Sequence, residues 1–180
     1  PVLKSYWLTV HVSVITASYG FLGMGALLGF ITLFLMILKN KKNALRMNEQ
    51  IRHLVAINEI SLIIGLAMLT VGNFFGGIWA NESWGRYWGW DPKENGALMT
   101  LLWCSCTLHA RLLHVCSCQG FLVLASLGNI VAAWWWFGVN LMGIGLHSYG
   151  FVEGGWFWFF LFVGLQVLAA ASALIPQRSR

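Results

Sequence analysis

The sequence predicts an all-α integral membrane protein, a bundle of about five transmembrane helices with an outward Trp-rich loop. Three properties predict this class: 58% of the residues are hydrophobic, only 9% are charged, and 11 of the 180 are tryptophan. Apolar runs at 14–38, 54–75, 97–116, 121–142 and 155–175 are each long enough to cross a hydrocarbon core of about 30 Å at about 1.5 Å per residue.

Basic residues predict the orientation of the bundle. They crowd the connection after the first run, lie near the inner end of the third run and close the chain: Lys39, Lys41, Lys42, Arg46, Arg52, Arg111, Arg178 and Arg180. Because such residues accumulate on the cytoplasmic side, the opposite ends and the Trp-rich loop at 76–96 are expected to face outward. The net charge of +5 is therefore a topology signal. Since no basic arm alternates with aromatic residues, no nucleic-acid partner is expected.

The connection between the second and third runs is the most distinctive part of the chain. Its aromatic residues are Trp79, Trp84, Tyr87, Trp88 and Trp90, packed around the stretch WGRYWGWDPKENGAL at 84–98. One interpretation is an interfacial belt, because tryptophan prefers the headgroup level of membranes. Such a dense cluster would, however, form an exposed apolar patch without a ligand. A flat binding platform is the favoured interpretation.

The Asp-Pro-Lys-Glu sequence that follows has a local structural explanation. Asp91 suits the N-cap of a helix, Pro92 its first position and Glu94 the third position of a capping box. The third helix is therefore expected to begin here. Its N-terminus carries partial positive charge, which would also favour an anionic group such as a haem propionate.

Two histidines are expected at the same depth as this loop. His11 lies just before the first apolar run and His147 just after the fourth. Two neutral imidazoles can ligate one haem iron, which would then lie over the aromatic platform. The alternative for each histidine alone is an ordinary interfacial residue.

His109 is different because it falls about 18 Å along the third helix from Ala97, well inside the predicted bilayer. Intramembrane ionisable residues are functional candidates by default. Glu59 and Arg111 lie at comparable depth, so an ion pair of Glu59 with Arg111 or His109 is the structural alternative. His53 and His114 are interpreted as boundary residues without a special role.

The four cysteines do not predict a disulfide framework. Cys104, Cys106, Cys116 and Cys118 form two Cys-x-Cys pairs near the reducing side, and positions two apart on a helix point in different directions. They are interpreted as small apolar packing residues. A thiolate and imidazole metal site with His109 and His114 is the alternative.

With these motifs, the chain resembles cytochrome c biogenesis proteins of the CcsA or ResC type, in the haem-handling family named for its WWD motif. The resemblance rests on WGRYWGWDPKE at 84–94, LHAR at 108–111, the early WLTVHVSVITASYGF and the late GVNLMGIGLHSYG. It covers nearly the whole chain, 1–180, as one transmembrane haem-handling domain. Asn95 and Gly96 depart from the Thr-Trp common in relatives, and Asn95 is also similar to the larger CcmF-like proteins.

The resemblance implies a function and a set of site residues. His11 and His147 would be the outward axial ligands of haem, and His109 a transmembrane haem ligand. A CcsB or ResB partner would supply the second transmembrane ligand, and the chain, which begins with Pro1, is expected to be part of a longer fusion or subunit. Arg86 and Lys93 are candidates for contacts with the haem propionates, with solvated loop charges as the alternative.

The resemblance also implies an enzyme, a holocytochrome c synthetase that attaches haem to the Cys-x-x-Cys-His motif of apocytochrome c. The expected location is the bacterial inner membrane, or a plastid thylakoid membrane, with several spans through the lipid bilayer. One alternative is a haem exporter or chaperone that forms no bond. A b-type electron-transfer cytochrome is another, although it would favour two histidines per haem inside the bundle. A small-molecule transporter fits less well because no pair of broken helices occurs in corresponding halves.

Overall fold

The computed structural model describes residues 4–148 and 153–175, so Arg178 and Arg180 lie outside the described residues. All regular structure in these ranges is helical, which confirms the all-α class. The helices are α1 Tyr6–Leu38, α2 Ala44–Trp84, α3 Pro92–Leu112, α4 Cys118–Ala133, a π-helix Trp134–Gly138 that continues α4, the short α5 Val139–Met142, and α6 Gly155–Ser172.

Four of the described helices are long and apolar enough to cross a membrane, rather than the five predicted. They are Tyr6–Leu38, Ala44–Trp84, the continuous segment Cys118–Met142, and Gly155–Ser172. The third predicted span corresponds to α3, which has 21 residues but carries polar groups at both ends: Lys93, Glu94, Asn95, His109 and Arg111. These groups lower the apolar character of α3 below that of the other helices.

Helices α1 and α2 form a closely packed antiparallel hairpin. Gly25 and Gly29 leave room for the side chain of Asn58, whose Nδ2 donates a hydrogen bond to the Gly25 carbonyl at 2.9 Å. Gly65 of α2 in turn receives Leu22 of α1. Small residues that allow close approach, together with an interhelical amide bond, are typical of packing in the bilayer.

Only the middle of the Trp-rich segment at 76–96 is a loop, whereas the whole segment was predicted to be one. Residues 76–84 are the last turns of α2, and 92–96 are the first turn of α3, so the loop itself is 85–91. The helix ends only at Gly85, which has φ +71° and donates its N–H to the Asn81 carbonyl at 2.9 Å. Trp79 and Trp84 are therefore helical residues held by α2.

Helix α1 also begins earlier than its apolar run predicts. Ser5 caps it by accepting a hydrogen bond from the Trp7 N–H at 3.2 Å, so α1 starts at Tyr6. His11 consequently lies in the second turn of α1, on a rigid element, rather than in a connection above it.

Candidate functional site

A cavity of about 230 Å³ lies where the end of α2, the loop 85–91 and the start of α3 meet α1 and the π-helix. Both predicted outer histidines line it, and six of the other lining side chains are aromatic. Its aromatic and titratable lining residues are His11, Tyr19, Trp79, Tyr87, Trp88, Lys93, Glu94, Trp135, Trp136 and His147. The fold therefore joins side chains from six segments of the chain at one place, the sixth being the segment after α5 that carries His147.

His11 is fixed in one tautomer by the backbone of α2. Its Nδ1 lies 2.8 Å from the Gly72 carbonyl oxygen, and because a carbonyl only accepts, Nδ1 is the protonated nitrogen. In the neutral ring the lone pair is then on Nε2. Gly76 packs directly on the imidazole, where a Cβ would lie 2.7 Å from the His11 Cε1 atom. A larger residue at 76 would displace the ring.

His147 has the same arrangement with a carboxylate as its partner. Its Nδ1 donates to Oδ2 of Asp91 at 2.9 Å, so the lone pair of the neutral ring is again on Nε2. A carboxylate behind an imidazole is the usual support of a metal-ligating histidine, because it fixes the orientation of the ring and increases its basicity.

Asp91 is held by more than His147. It is only 6% exposed, and it also accepts hydrogen bonds from the Leu146 N–H at 2.6 Å and the Lys93 N–H at 3.1 Å. Gly145, at φ +86°, approaches so closely that a Cβ there would contact the Asp91 carboxylate. Burial alone raises the pKa of Asp91, but the hydrogen bonds from Leu146, His147 and Lys93 outweigh it and lower the pKa below its ordinary value. Asp91 is thus ionised at neutral pH.

The predicted capping box at the start of α3 is confirmed. Asp91 is the N-cap, and Glu94 accepts hydrogen bonds from the Gly89 N–H at 2.7 Å and the Asp91 N–H at 3.1 Å. Asp91 therefore serves both the helix and His147, and it lies behind that imidazole rather than among the residues that line the cavity.

Trp79 connects the two imidazoles. Its ring is nearly parallel to that of His11, with centroids 6.3 Å apart and planes at 10°, and it meets the ring of His147 edge to face at 5.7 Å. Trp84 contacts both Trp79, at 4.8 Å, and His147, at 5.2 Å. Trp79 is 1% exposed, so this aromatic cluster is packed between α1 and the His147 segment.

The other predicted loop residues divide between the cavity and the surface. Tyr87 and Trp88 line the cavity, whereas Trp90 is 70% exposed and Arg86 lies over the Trp84 ring at 5.8 Å. Trp90 also has a positive φ of 58°, a conformation uncommon for a bulky residue. The predicted aromatic residues therefore do not form a single flat platform.

Part of the wall comes from residues that the sequence analysis did not assign to a site. Tyr19 of α1 and Trp136 of the π-helix stack in parallel, with centroids 4.4 Å apart and planes at 8°. Trp135 lines the cavity and packs against Gly96, where any side chain would collide with it. The run Trp134-Trp135-Trp136 was visible in the sequence, but the π-turn that sets its direction was not.

His109 lies apart from this cavity, on an exposed face of α3. Its Nδ1 donates to the Ser105 carbonyl at 2.7 Å, which places the lone pair of the neutral ring on Nε2. Glu59 pairs with Arg111, with Nε and Oε2 3.4 Å apart, as one predicted alternative requires. His53 and His114 are both exposed, and His53 lies 3.9 Å from Glu49.

The four cysteines occupy different environments, and all have free thiols. Cys104 is buried in the core and Cys116 packs partly against it, which fits their interpretation as packing residues, whereas Cys106 and Cys118 are exposed. Within 4–148 and 153–175, no group of three or more His, Cys, Asp or Glu side chains is arranged to hold a metal ion.

The donor set of the cavity fits a haem better than a bare metal ion. It offers two imidazoles whose Nδ1 atoms are engaged by fixed acceptors, and aromatic walls that suit a flat macrocycle. In the loop 85–91, the buried Nη1 of Arg86, which packs against Gly89, has no hydrogen-bond partner among the described residues. A buried guanidinium nitrogen without a partner fits an anionic group such as a propionate.

The chain matches a known protein family. Residues 1–147 match the family model described as cytochrome C assembly protein. The chain is 53% identical to Protein NrfI of Wolinella succinogenes over 152 residues, which cover 83% of the chain and 16% of that protein. It is 42% identical to cytochrome c biogenesis protein CcsA of Chlamydomonas reinhardtii over 152 residues, covering 84% of the chain and 42% of the relative.

A cyanobacterial relative matches a similar share of the chain. Cytochrome c biogenesis protein CcsA of Prochlorococcus marinus strain MIT 9301 is 36% identical over 178 residues, covering 86% of the chain and 57% of that protein. The chain thus spans about one sixth of NrfI and about half of these CcsA proteins.

Proposed function

Because this chain belongs to the cytochrome c assembly protein family, we propose that it binds haem as a substrate in the cavity between His11 and His147 and presents it for attachment to apocytochrome c. The observation that carries the proposal is the matched state of the two imidazoles. The Nδ1 of His11 donates a hydrogen bond to the Gly72 carbonyl, and the Nδ1 of His147 donates one to Asp91. In both rings Nε2 is therefore the nitrogen that would bind the iron.

The protein's part in this function is to bind and orient. His11 and His147 would supply axial nitrogens to the haem iron, and Trp79, Tyr87, Trp88, Trp135 and Trp136 would set the plane of the macrocycle. Lys93, which lines the cavity, and Arg86, which lies over the Trp84 ring, are the cations that we propose for the propionates. Holding the vinyl groups in one position reduces the entropy loss on reaching the transition state. This is the main catalytic contribution expected of such a site.

The proposed reaction is the activity of a holocytochrome c synthetase. Each thiol of the Cys-x-x-Cys-His segment adds across one haem vinyl group: an S–H bond and the vinyl π-bond are lost, an S–C bond and a C–H bond form. Two additions give two thioethers with no net gain or loss of electrons. A haem exporter or chaperone would use the same binding residues but would leave the vinyl groups intact.

His109 supports the proposal of a second haem contact that is completed by a partner. It shares one exposed face of α3 with Met99, Leu102 and Cys106, at helical spacings of three and four residues. A membrane segment of a CcsB or ResB-like protein that packs on this face would bring its own ligand opposite Nε2 of His109.

The proposed location is the bacterial inner membrane or a thylakoid membrane, with the His11 and His147 cavity on the outer side.

The test uses the full-length protein coexpressed with its partner and an apocytochrome c. Replacing His11 or His147 by alanine should remove the reduced bis-imidazole absorption spectrum of the outer site and stop covalent attachment, measured as haem that stays on cytochrome c after denaturation. His53→Ala, at an exposed position in α2, is the control and should leave both unchanged. Normal attachment in both site variants would exclude the proposal, and bound haem without any thioether in the parent would favour the exporter.

A further inference from the structure

Trp90 is a large aromatic side chain that the fold directs away from the candidate site. It is 70% exposed, and it is not among the described residues that line the cavity. Its φ of 58° lies in the left-handed region, which costs a bulky residue free energy. Strain of this kind persists only where the surrounding structure holds it, and it occurs mostly at functional sites.

Hydrogen bonds hold the backbone of Trp90 in this conformation from three directions. Nδ2 of Asn95 donates to the Trp90 carbonyl at 2.9 Å. Glu94 accepts hydrogen bonds from the N–H groups on either side of Trp90, that of Gly89 at 2.7 Å and that of Asp91 at 3.1 Å. Oδ1 of Asn95 is buried without a hydrogen-bond partner in the described part of the chain, so this amide serves Trp90. The exposed ring is therefore displayed from a fixed backbone.

The height of Trp90 along the bundle places its ring beyond the lipid headgroups. The predicted apolar run of α2 ends at residue 75, and Trp84 lies nine residues further along the helix, about 13 Å by the helical rise. The headgroup layer on each side of a bilayer is only about 5–8 Å thick. Trp84 contacts the ring of His147 at 5.2 Å. His147 in turn bonds to Asp91, the neighbour of Trp90, so Trp90 lies at a similar height.

Tyr87 joins this exposed ring to the cavity. It lines the cavity and is also 63% exposed, so it lies at the rim where the cavity opens. Trp88, another lining residue, meets the ring of Trp90 edge to face, with centroids 6.1 Å apart. A molecule that packs on Trp90 and Tyr87 therefore lies at the opening of the cavity.

We propose that Trp90 and Tyr87 form a docking surface for the polypeptide of apocytochrome c beside its Cys-x-x-Cys-His segment. This inference rests on the proposed function and deepens it. The occupant is a polypeptide rather than a lipid, because the surface lies beyond the headgroups and because thiols that add to the vinyl groups must approach this opening. Tryptophan and tyrosine are enriched among the residues that dominate binding energy at protein interfaces. A ring on a fixed backbone also loses little entropy when a partner binds.

The experiment separates docking of the polypeptide from binding of haem, in the full-length protein with its partner in lipid nanodiscs. The probe is a fluorescently labelled apocytochrome c in which serine replaces both motif cysteines, so that it binds but forms no thioether. Trp90→Ala should weaken binding of this probe about tenfold. Haem retained per protein and the bis-imidazole spectrum should be unchanged, which also shows that the variant folds.

Three further variants make the comparison specific. Trp90→Phe keeps an aromatic ring and should lose less affinity than Trp90→Ala. Asn95→Ala removes the hydrogen bond to the Trp90 carbonyl and should also weaken binding, by a smaller factor. Tyr6→Ala is the matched control, because Tyr6 is a 73% exposed aromatic residue at the same end of the bundle and is not among the described lining residues. It should bind the probe as the parent does.

The outcomes distinguish this inference from the proposed function. Equal affinity of Trp90→Ala and Tyr6→Ala for the probe would overturn the docking surface, leave the proposed function intact and return Trp90 to a membrane-interface role. Loss of the bis-imidazole spectrum in Trp90→Ala would assign Trp90 to the haem site and also overturn the inference. So would a parent protein that binds haem but not the probe. A parent protein without a bis-imidazole spectrum would overturn both proposals.

Discussion

His147 donates a hydrogen bond from Nδ1 to Oδ2 of Asp91 at 2.9 Å. Because Asp91 is the N-cap of α3, this bond joins the segment after α5 to the start of α3. The neighbouring Leu146 N–H bonds to the other carboxylate oxygen at 2.6 Å, so Asp91 holds both the backbone and the side chain of this segment. The carboxylate is thus a positioning group for His147 as well as a helix cap.

Asp91→Asn should weaken haem binding about 10-fold to 100-fold, the usual effect of losing a carboxylate behind a ligating histidine. The asparagine amide keeps one acceptor oxygen and has no negative charge. It therefore cannot accept hydrogen bonds from both the Leu146 N–H and the His147 ring as the two carboxylate oxygens do. The measurement is haem affinity by titration, together with the absorption spectrum of the reduced protein. Glu82→Gln is the control, because Glu82 is an exposed acidic residue near the same end of the bundle whose partner is Ser5. Equal affinity of both variants would remove Asp91 from the site.

The difference in stability between the parent protein and Asp91→Asn should depend on pH. Because hydrogen bonds hold the pKa of Asp91 below its ordinary value, its contribution is fully present above the ordinary pKa of about 3.9 and is lost as pH falls through the lowered pKa. The difference in unfolding midpoint between the two haem-free proteins should therefore be large at pH 5 and shrink as pH falls further below 3.9. A difference that stays constant down to pH 2 would contradict an ionised Asp91.

Trp135→Ala should impair haem retention more than Trp90→Ala. Trp135 lines the cavity and packs on Gly96, whereas Trp90 is mostly exposed, so only the first substitution opens the wall. Trp88→Ala, at another lining position, should resemble Trp135→Ala. Haem retained per protein after detergent purification is the readout. Equal retention in the Trp135 and Trp90 variants would favour a simple interfacial belt.

His109→Ala should lower copurified haem without changing the affinity of the outer site for added haem. His109 lies on α3 away from the cavity, and its contacts do not involve His11 or His147. His114→Ala, at an exposed position beyond the end of the same helix, is the matched control. Unchanged copurified haem in the His109 variant, with the partner present, would exclude the second haem contact.

Much of the local structure could be predicted from the sequence, because its signals are local. Asp91, Pro92 and Glu94 predict the start of α3 through hydrogen bonds within four residues. An ion pair of Glu59 with Arg111 was one of two predicted pairings, because opposite charges at the same depth attract each other strongly in an apolar medium. The end of α2 was missed because the polar residues before Gly85 still permit helix.

The composition and periodicity of the chain by themselves determined that it is an all-helical membrane protein with histidines near an aromatic loop. Only the tertiary structure decided which side chains meet. Trp79 touches both imidazoles, Trp90 faces away, and Trp135 and Trp136 enter the walls, because helix packing and the π-turn set their directions. Those directions depend on contacts between residues far apart in the chain, such as Asp91 with His147, which no local pattern encodes.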